Sequence, residues 1–212
     1  AGKTVLVTAG ATQESLDPVR YLTNHSSGKM GYAIARAAML RGADVTLISG
    51  PTSLQPPPFI EVVHVTSAKD MFDAVVARSA TADLIFKAAA VADYTPVTYC
   101  DNKIKKQDEA FSITMKRTTD ILKYLGDNKK QGQVICGFSM ETENMLENSK
   151  KKRISKGIDM ICANNLKENG AGFGVDTNVI TLITQNDCIQ LPLMSKDEAA
   201  IAILDHTLKL LN

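Results

Sequence analysis

The chain has 212 residues, 44% hydrophobic and 22% charged, proportions of an ordinary globular protein that exclude disorder, collagen and coiled coil. Its 24 basic and 23 acidic side chains leave a formal charge of +1, too little for a broad footprint on duplex nucleic acid but compatible with a local anion pocket. Aromatic residues make up 5% and tryptophan is absent, which argues against a carbohydrate platform or a base-stacking sheet. Strand and helix signals alternate from the start. Thr4 to Thr8 reads as a buried parallel strand closed by Ala9-Gly10. Gly28 to Arg41 has a helical apolar period ended by Gly42, and Asp44 to Ser49 is a second strand stopped by Gly50-Pro51. Beyond Pro56-Pro57-Pro58, Ile60 to Val65 is a third strand, and Ser67 to Asp70 has a capping-box signature opening a helix to about Ala80. Asp83 to Ala90 is a fourth strand. This succession predicts an α/β fold with a doubly wound, mostly parallel, Rossmann-like sheet.

In the second half, Ala110 to Lys116 alternates like an exposed strand, and Thr119 to Leu125 reads as a short helix capped by Thr118 or Thr119. Gln133 to Phe138 is a buried strand, Thr142 to Lys156 a helix and Ile158 to Ala163 a short strand. Asn178 to Thr184 and Cys188 to Leu193 flank Gln185-Asn186-Asp187 as a C-terminal β-hairpin, and Ser195 begins the final helix. Residues 1–212 are expected to form a single domain. The four cysteines and three histidines are scattered without zinc spacing, and the thiols are expected to be reduced. No apolar run reaches the ~18 residues of a membrane span. A cytoplasmic protein with no membrane or nucleic-acid partner is the expectation. The start Ala1-Gly2-Lys3, without an initiator methionine, suggests a trimmed chain or a domain cut from a longer polypeptide.

In such sheets ligands bind beyond the carboxyl ends of the parallel strands, where strand order reverses. Ser26 to Gly31 supplies glycines and a helix start suited to a phosphate. It fits neither standard motif. This segment has no Gly-x-Gly and no ribose acid follows the second strand, while a Walker loop would need Gly at Thr23 and Ser or Thr at Met30. Close packing of a helix on the sheet explains Gly28 and Gly31 equally well. The polar connection Asp17 to Ser27 offers Arg20, Asn24 and His25 for an anion or acyl group, against capping or surface-pair roles. Ala88 to Tyr94 lets a ligand approach the backbone, with Asp93 as an acceptor; tight packing is the alternative. Lys103, Lys105 and Lys106, and the cluster from Lys150 to Lys156, are either solvated faces or a polyphosphate cradle. Lys152 and Lys156 share one helical face.

Taken in order, DPVRYLTNHSSGKMG, AAVADY, KIKK, GFSMET and KGIDMICANN resemble the phosphopantothenate–cysteine ligase family of coenzyme A biosynthesis, in its bacterial CTP-dependent form, from Thr4 to about Leu193. The resemblance implies joining of 4′-phosphopantothenate to L-cysteine through an acyl-cytidylate made from CTP, with Mg²⁺ bound mainly through the triphosphate. It implies nucleotide contacts at Lys87, Asp93, Lys103, Thr119, Asp120, Ile121, Leu122, Phe138, Lys152 and Lys156. It places Arg20, Asn24, Ala89 and Ala90 on the pantothenate side, with Lys103 and Asn24 as the catalytic pair. It further implies a homodimer sharing the pantothenate site, and fusion in a longer protein to a flavin-dependent decarboxylase. Lys87 departs from the small or apolar residue found there in the family. The Asn178 to Leu193 hairpin is the candidate for the dimer interface. Two rivals stand beside this reading: a short-chain-type NAD(P) oxidoreductase, against which no Tyr-x-x-x-Lys pair lies on a central helix, and a non-catalytic nucleotide-binding module.

Overall fold

The computed structural model describes residues 1–106, 110–141, 143–165 and 175–211, with the side chain of Asn165 left out. β1 (Thr4–Ala9) is followed by a small antiparallel hairpin, β2 (Gln13–Ser15) and β3 (Tyr21–Thr23), and then by α1 (Lys29–Leu40). Next come β4 (Asp44–Ser49), β5 (Glu61–His64), α2 (Ala68–Ser79) and β6 (Leu84–Lys87). A second side hairpin, β7 (Tyr94–Pro96) with β8 (Met115–Arg117), leads into α3 (Ile121–Asp127). β9 (Val134–Glu141), α4 (Met145–Lys156) and β10 (Met160–Asn165) complete the parallel part. After β11 (Thr177–Asn178) come β12 (Ile180–Ile183), β13 (Cys188–Gln190), β14 (Met194–Ser195) and α5 (Lys196–Leu208).

The main sheet runs β13-β12-β10-β9-β6-β1-β4-β5, parallel from β10 to β5, with β12 and β13 added antiparallel at one edge. β1 is central, and its alternate side chains feed both faces of the core. Val5 and Val7 pack with Ile34 and Ala38 of α1 and with Ile203 of α5, whereas Leu6 packs with Met71 of α2 and Ile121 of α3. Helices on both faces make the sheet doubly wound, as the sequence predicts. Ser67 and Ser195 form the capping boxes of α2 and α5, with Asp70 and Glu198 answering back. The C-terminal hairpin forms as well, its turn held by Thr184 Oγ1 accepting the amides of Asn186 and Asp187.

Four details differ from the sequence expectations. The polar connection after β1 contains the β2–β3 hairpin. The fourth strand ends at Lys87, because the amide of Ala89 turns to Thr8 Oγ1, and pairing resumes only as an isolated parallel bridge between Ala90 and Ala11. Only Met115–Arg117 of the expected exposed strand is extended and paired, with β7 as its partner. α3 is capped by Asp120, whose side chain accepts the amide of Lys123. Thr142, the expected start of α4, lies outside the described residues. The cysteines are free thiols, and the Sγ atoms of Cys136 and Cys162 lie 3.6 Å apart on adjacent strands.

After β5 the chain crosses back over the sheet to place β6 on the other side of β1. The strand order therefore reverses between β1 and β6, and the crevice above their carboxyl ends is where ligands enter folds of this kind.

Candidate nucleotide site

A cleft of about 450 Å³ opens beside this switch point, above the carboxyl ends of β6 and β9. One wall is the segment after β6, which is laced to the end of β1. Thr8 Oγ1 accepts the amide of Ala89 at 3.2 Å, Gly10 O that of Ala90 at 2.9 Å, and Thr12 Oγ1 that of Ala92 at 2.9 Å. This lacing carries Asp93 and Tyr94 to the cleft. Thr118 holds them there, its amide donating to Asp93 O at 3.0 Å and its hydroxyl to Ala92 O at 2.6 Å. The start of α3 contributes Thr119 to Leu122, and the opposite wall is Phe138 of β9 with Lys152 and Lys156 of α4. The one-turn spacing of the two lysines sends both ammonium groups to the same side.

Four cations, Lys87, Arg117, Lys152 and Lys156, face two carboxylates, Asp93 and Asp120. Lys87 Nζ donates to Ala89 O at 3.0 Å, so its side chain, and not only its backbone, belongs to the site. Burial, and next the nearby Lys152 ammonium, push its pKa down to about 8, against a partial pull from Asp120 and Asp93. Lys152 donates to Phe138 O at 3.3 Å and is lowered for the same first reason, burial. Lys156 pairs with Asp120. Burial works against the Asp120 carboxylate, but the Lys156 ammonium and the Lys123 amide outweigh it and keep the pKa low. Ammonium groups held partly dehydrated gain more from a polyanion than they would in water. Val91, Ile121, Leu122 and Phe138 supply an apolar surface beside them. A ligand with a flat base at one end and phosphates at the other matches this division.

The cleft thus gathers Lys87, Asp93, Thr119, Asp120, Ile121, Leu122, Phe138, Lys152 and Lys156. Lys103 is exposed and does not line it; its segment is instead pinned from behind. Asp17 Oδ2 accepts the Ile104 amide at 3.0 Å, and Arg20 Nη2 donates to Ile104 O at 2.6 Å. Arg20 is also bonded to Asp17 through Nε and Nη2, so its guanidinium serves as a clasp. Burial opposes the Asp17 charge, yet the amides of Ile104, Val19 and Arg20 and the guanidinium together hold its carboxyl far below the usual range. Asn24 is exposed and reaches Ala90 O at 3.3 Å, which brings together three of the four residues expected on the pantothenate side, Asn24, Ala89 and Ala90. His25 is exposed.

Sequence reasoning missed Arg117 and the lacing threonines Thr8 and Thr12. Two hydroxyls four positions apart, Thr8 and Thr12, as the chain leaves the first strand were the available signal. At Gly31 both readings were weighed, and packing is met directly: a Cβ would lie 2.5 Å from Ala9 Cβ and 2.9 Å from Thr8 O. Gly28 is different. It caps α1 in the left-handed region, φ 82°, and as glycine brings no side chain of its own to the cap.

Among the described residues no group of three or more His, Cys, Asp or Glu side chains gathers. None of their helices is long and apolar enough to cross a membrane.

Residues 1–211 match the family described as DNA/pantothenate metabolism flavoprotein C-terminal domain. The chain is 49% identical over 207 residues to the coenzyme A biosynthesis bifunctional protein CoaBC of Bacillus subtilis, covering 97% of this chain and 51% of that one. It is 44% identical over 205 residues to the protein of the same name from Escherichia coli K12, covering 95% and 50%. The crystal structure of a C-terminal domain of CoaBC superposes with a TM-score of 0.84 at 42% identity, covering 99% of this chain and 96% of that one. The chain spans about half the length of the curated relatives it matches. It is a member of the DNA/pantothenate metabolism flavoprotein C-terminal domain family, the family of the carboxy-terminal half of the bifunctional coenzyme A biosynthesis proteins.

Proposed function

We propose that the chain is a phosphopantothenate–cysteine ligase that uses CTP. The observation that carries this reading is the cleft above the carboxyl ends of β6 and β9, where an apolar wall and a cluster of partly dehydrated ammonium groups meet. In the first step the carboxylate of 4′-phosphopantothenate attacks the α-phosphorus of CTP, and pyrophosphate leaves with the electron pair of the broken P–O bond. In the second, the amine of L-cysteine attacks the acyl carbon and CMP departs. Lys152 and Lys156 neutralise the triphosphate, and Lys87 adds a cation at the strand end. Phe138, Ile121 and Leu122 flank the base, and Asp93 accepts hydrogen bonds from the nucleoside. Asn24, donating toward Ala90, orients the pantothenate end, and Lys103 approaches the acyl phosphate from the clasped segment. The chemistry of the acceptors fits a magnesium ion that arrives on the triphosphate oxygens, because Mg²⁺ keeps waters and phosphates as its main ligands. The reading includes a homodimer and, in a longer protein, a decarboxylase partner; the bifunctional names of the relatives support the second point.

The test is isotope exchange. Labelled pyrophosphate should enter CTP when 4′-phosphopantothenate is present and cysteine is withheld, and adding cysteine should release CMP. Exchange with ATP but not CTP would reassign the nucleotide. Binding of CTP without exchange or turnover would leave a non-catalytic module.

A further inference from the structure

Lys87 is the last residue of β6 and lines the cleft. Its surroundings work against its charge. Val91, Ile121, Leu122 and Phe138 form the apolar wall, and Lys152 and Lys156 bring like charge from α4, against the carboxylates of Asp93 and Asp120. Arg117, from β8, is a further cation of the lining. Dehydration and a neighbouring cation are the ordinary means by which a lysine becomes a nucleophile. With its pKa pushed down to about 8, about half of Lys87 is neutral at pH 8, against less than about 1% of an ordinary lysine. A weaker base is also a weaker nucleophile, and a sensitivity of the size known for thiols returns about tenfold of that gain. An advantage of about tenfold over an ordinary lysine remains.

The same cleft selects the electrophile. Lys152, Lys156 and Arg117 draw in anions, and a cleft of about 450 Å³ has room for a small one. A neutral amine among anion-binding groups suits an acyl phosphate. The cations hold the phosphate end, and the carbonyl carbon is offered to the amine. The product also fits. Lys87 Nζ donates to Ala89 O at 3.0 Å, and an amide at Nζ keeps one N–H for that bond. An uncharged acyl group beside the apolar wall removes the penalty of a dehydrated ammonium.

We propose that Lys87 Nζ is a site of acylation by small acyl phosphates, and that the modification weakens the hold of the cleft on polyphosphates. The Nζ lone pair forms the C–N bond to the acyl carbon. The bond from that carbon to the bridging oxygen breaks, inorganic phosphate leaves with the electron pair, and one Nζ proton passes to the phosphate. One cation of the cleft is thereby lost. This chemistry needs the cleft and its cations only, and stands apart from the nucleotide and the substrates assigned above.

Acetyl phosphate is the probe, and peptide mass spectrometry of the unaltered chain at about pH 8 is the readout. Lys87 should be acetylated at least about tenfold faster than the exposed Lys103, Lys105 and Lys106. Inorganic pyrophosphate, held by the same cations, should slow Lys87 at least about tenfold and the exposed lysines less than about twofold. N-acetoxysuccinimide, which has no anionic head, should show a smaller preference for Lys87. Acetylated protein should bind pyrophosphate about tenfold more weakly by calorimetry, and Lys87→Met treated in the same way should lose no affinity. Acetylation of Lys87 no faster than of the exposed lysines, acetylation of Lys152 ahead of it, or no protection by pyrophosphate overturns the proposal. An equal loss of affinity in treated Lys87→Met would overturn its second half, by placing the loss on another lysine. If Lys87→Met does not fold, the rates in the unaltered chain decide.

Discussion

Lys87 sits where the sheet delivers it into the cleft, and its depressed pKa gives the molecule a pH dependence with a definite sign. Near pH 7 both the folded and unfolded chains hold the proton, and the folded state bears the full penalty of a dehydrated ammonium. Between about 8 and the ordinary value of 10.5 the unfolded chain binds more protons, so stability should rise with pH across that window. Lys87→Met should stabilise the ligand-free protein near neutrality and flatten the window, which denaturant midpoints at about pH 7 and about pH 10 will show. Nucleotide affinity should move the other way in the parent, weakening as the ammonium is lost. Lys103 gives a second residue-level expectation. Lys103→Gln should lower turnover at least about a hundredfold with little change in CTP affinity, whereas Lys106→Gln should lower it less than about tenfold. Equal, mild effects would make the segment an ordinary charged surface. The cleft lysines were legible because Lys152 and Lys156 share a helical face. Arg117 was not, because an arginine in an alternating exposed run has no local mark that distinguishes it from a solvated one.

α1 meets β1 through a contact that only glycine permits at Gly31. Gly31→Ala would drive a methyl group into Ala9 Cβ and Thr8 O, and both belong to the central strand. The expected cost is about 1–3 kcal/mol of overpacking, visible as a lower denaturation midpoint at unchanged slope. Because Thr8 also fastens the Ala89 amide, the same substitution should weaken nucleotide binding. A midpoint equal to the parent's would show that the helix can retreat without loss. At this scale the sequence was informative where one element carried its own signal, as in the capping boxes at Ser67 and Ser195. It was silent where the signal lay in a distant partner. β2, β3, β7 and β8 are three residues each, too short for alternation to accumulate, and each exists because another short strand lies beside it. The cap of α3 failed for a related reason. Thr118, Thr119 and Asp120 are all good caps; Thr118 is engaged with Ala92 and Asp93, and Asp120 takes the Lys123 amide.

At the scale of the whole molecule, the two side hairpins and the segments next to them expose several apolar residues. Tyr21 and Leu22 on β3 are 49% and 40% exposed, and Val97, Tyr99 and Phe111 around β7 and β8 are 50%, 51% and 56%. Exposed apolar side chains of this size favour burial against another surface, so the proposed homodimer should bury these hairpins. The C-terminal hairpin exposes Ile189 and Leu193 and is the weaker candidate. Val97→Glu combined with Phe111→Glu should shift sedimentation from dimer to monomer and leave the thermal transition of the sheet in place. Dimers that persist would return the interface to the C-terminal hairpin. The central position of β1 has a consequence of another kind, for the growing chain. Its neighbour β4 is complete at Ser49, but its other edge waits for Leu84 to Lys87. At about 5–20 residues per second, the ribosome leaves an apolar strand half paired for several seconds. Nascent chains of this protein should engage holdase chaperones in that interval and release them once β6 has emerged.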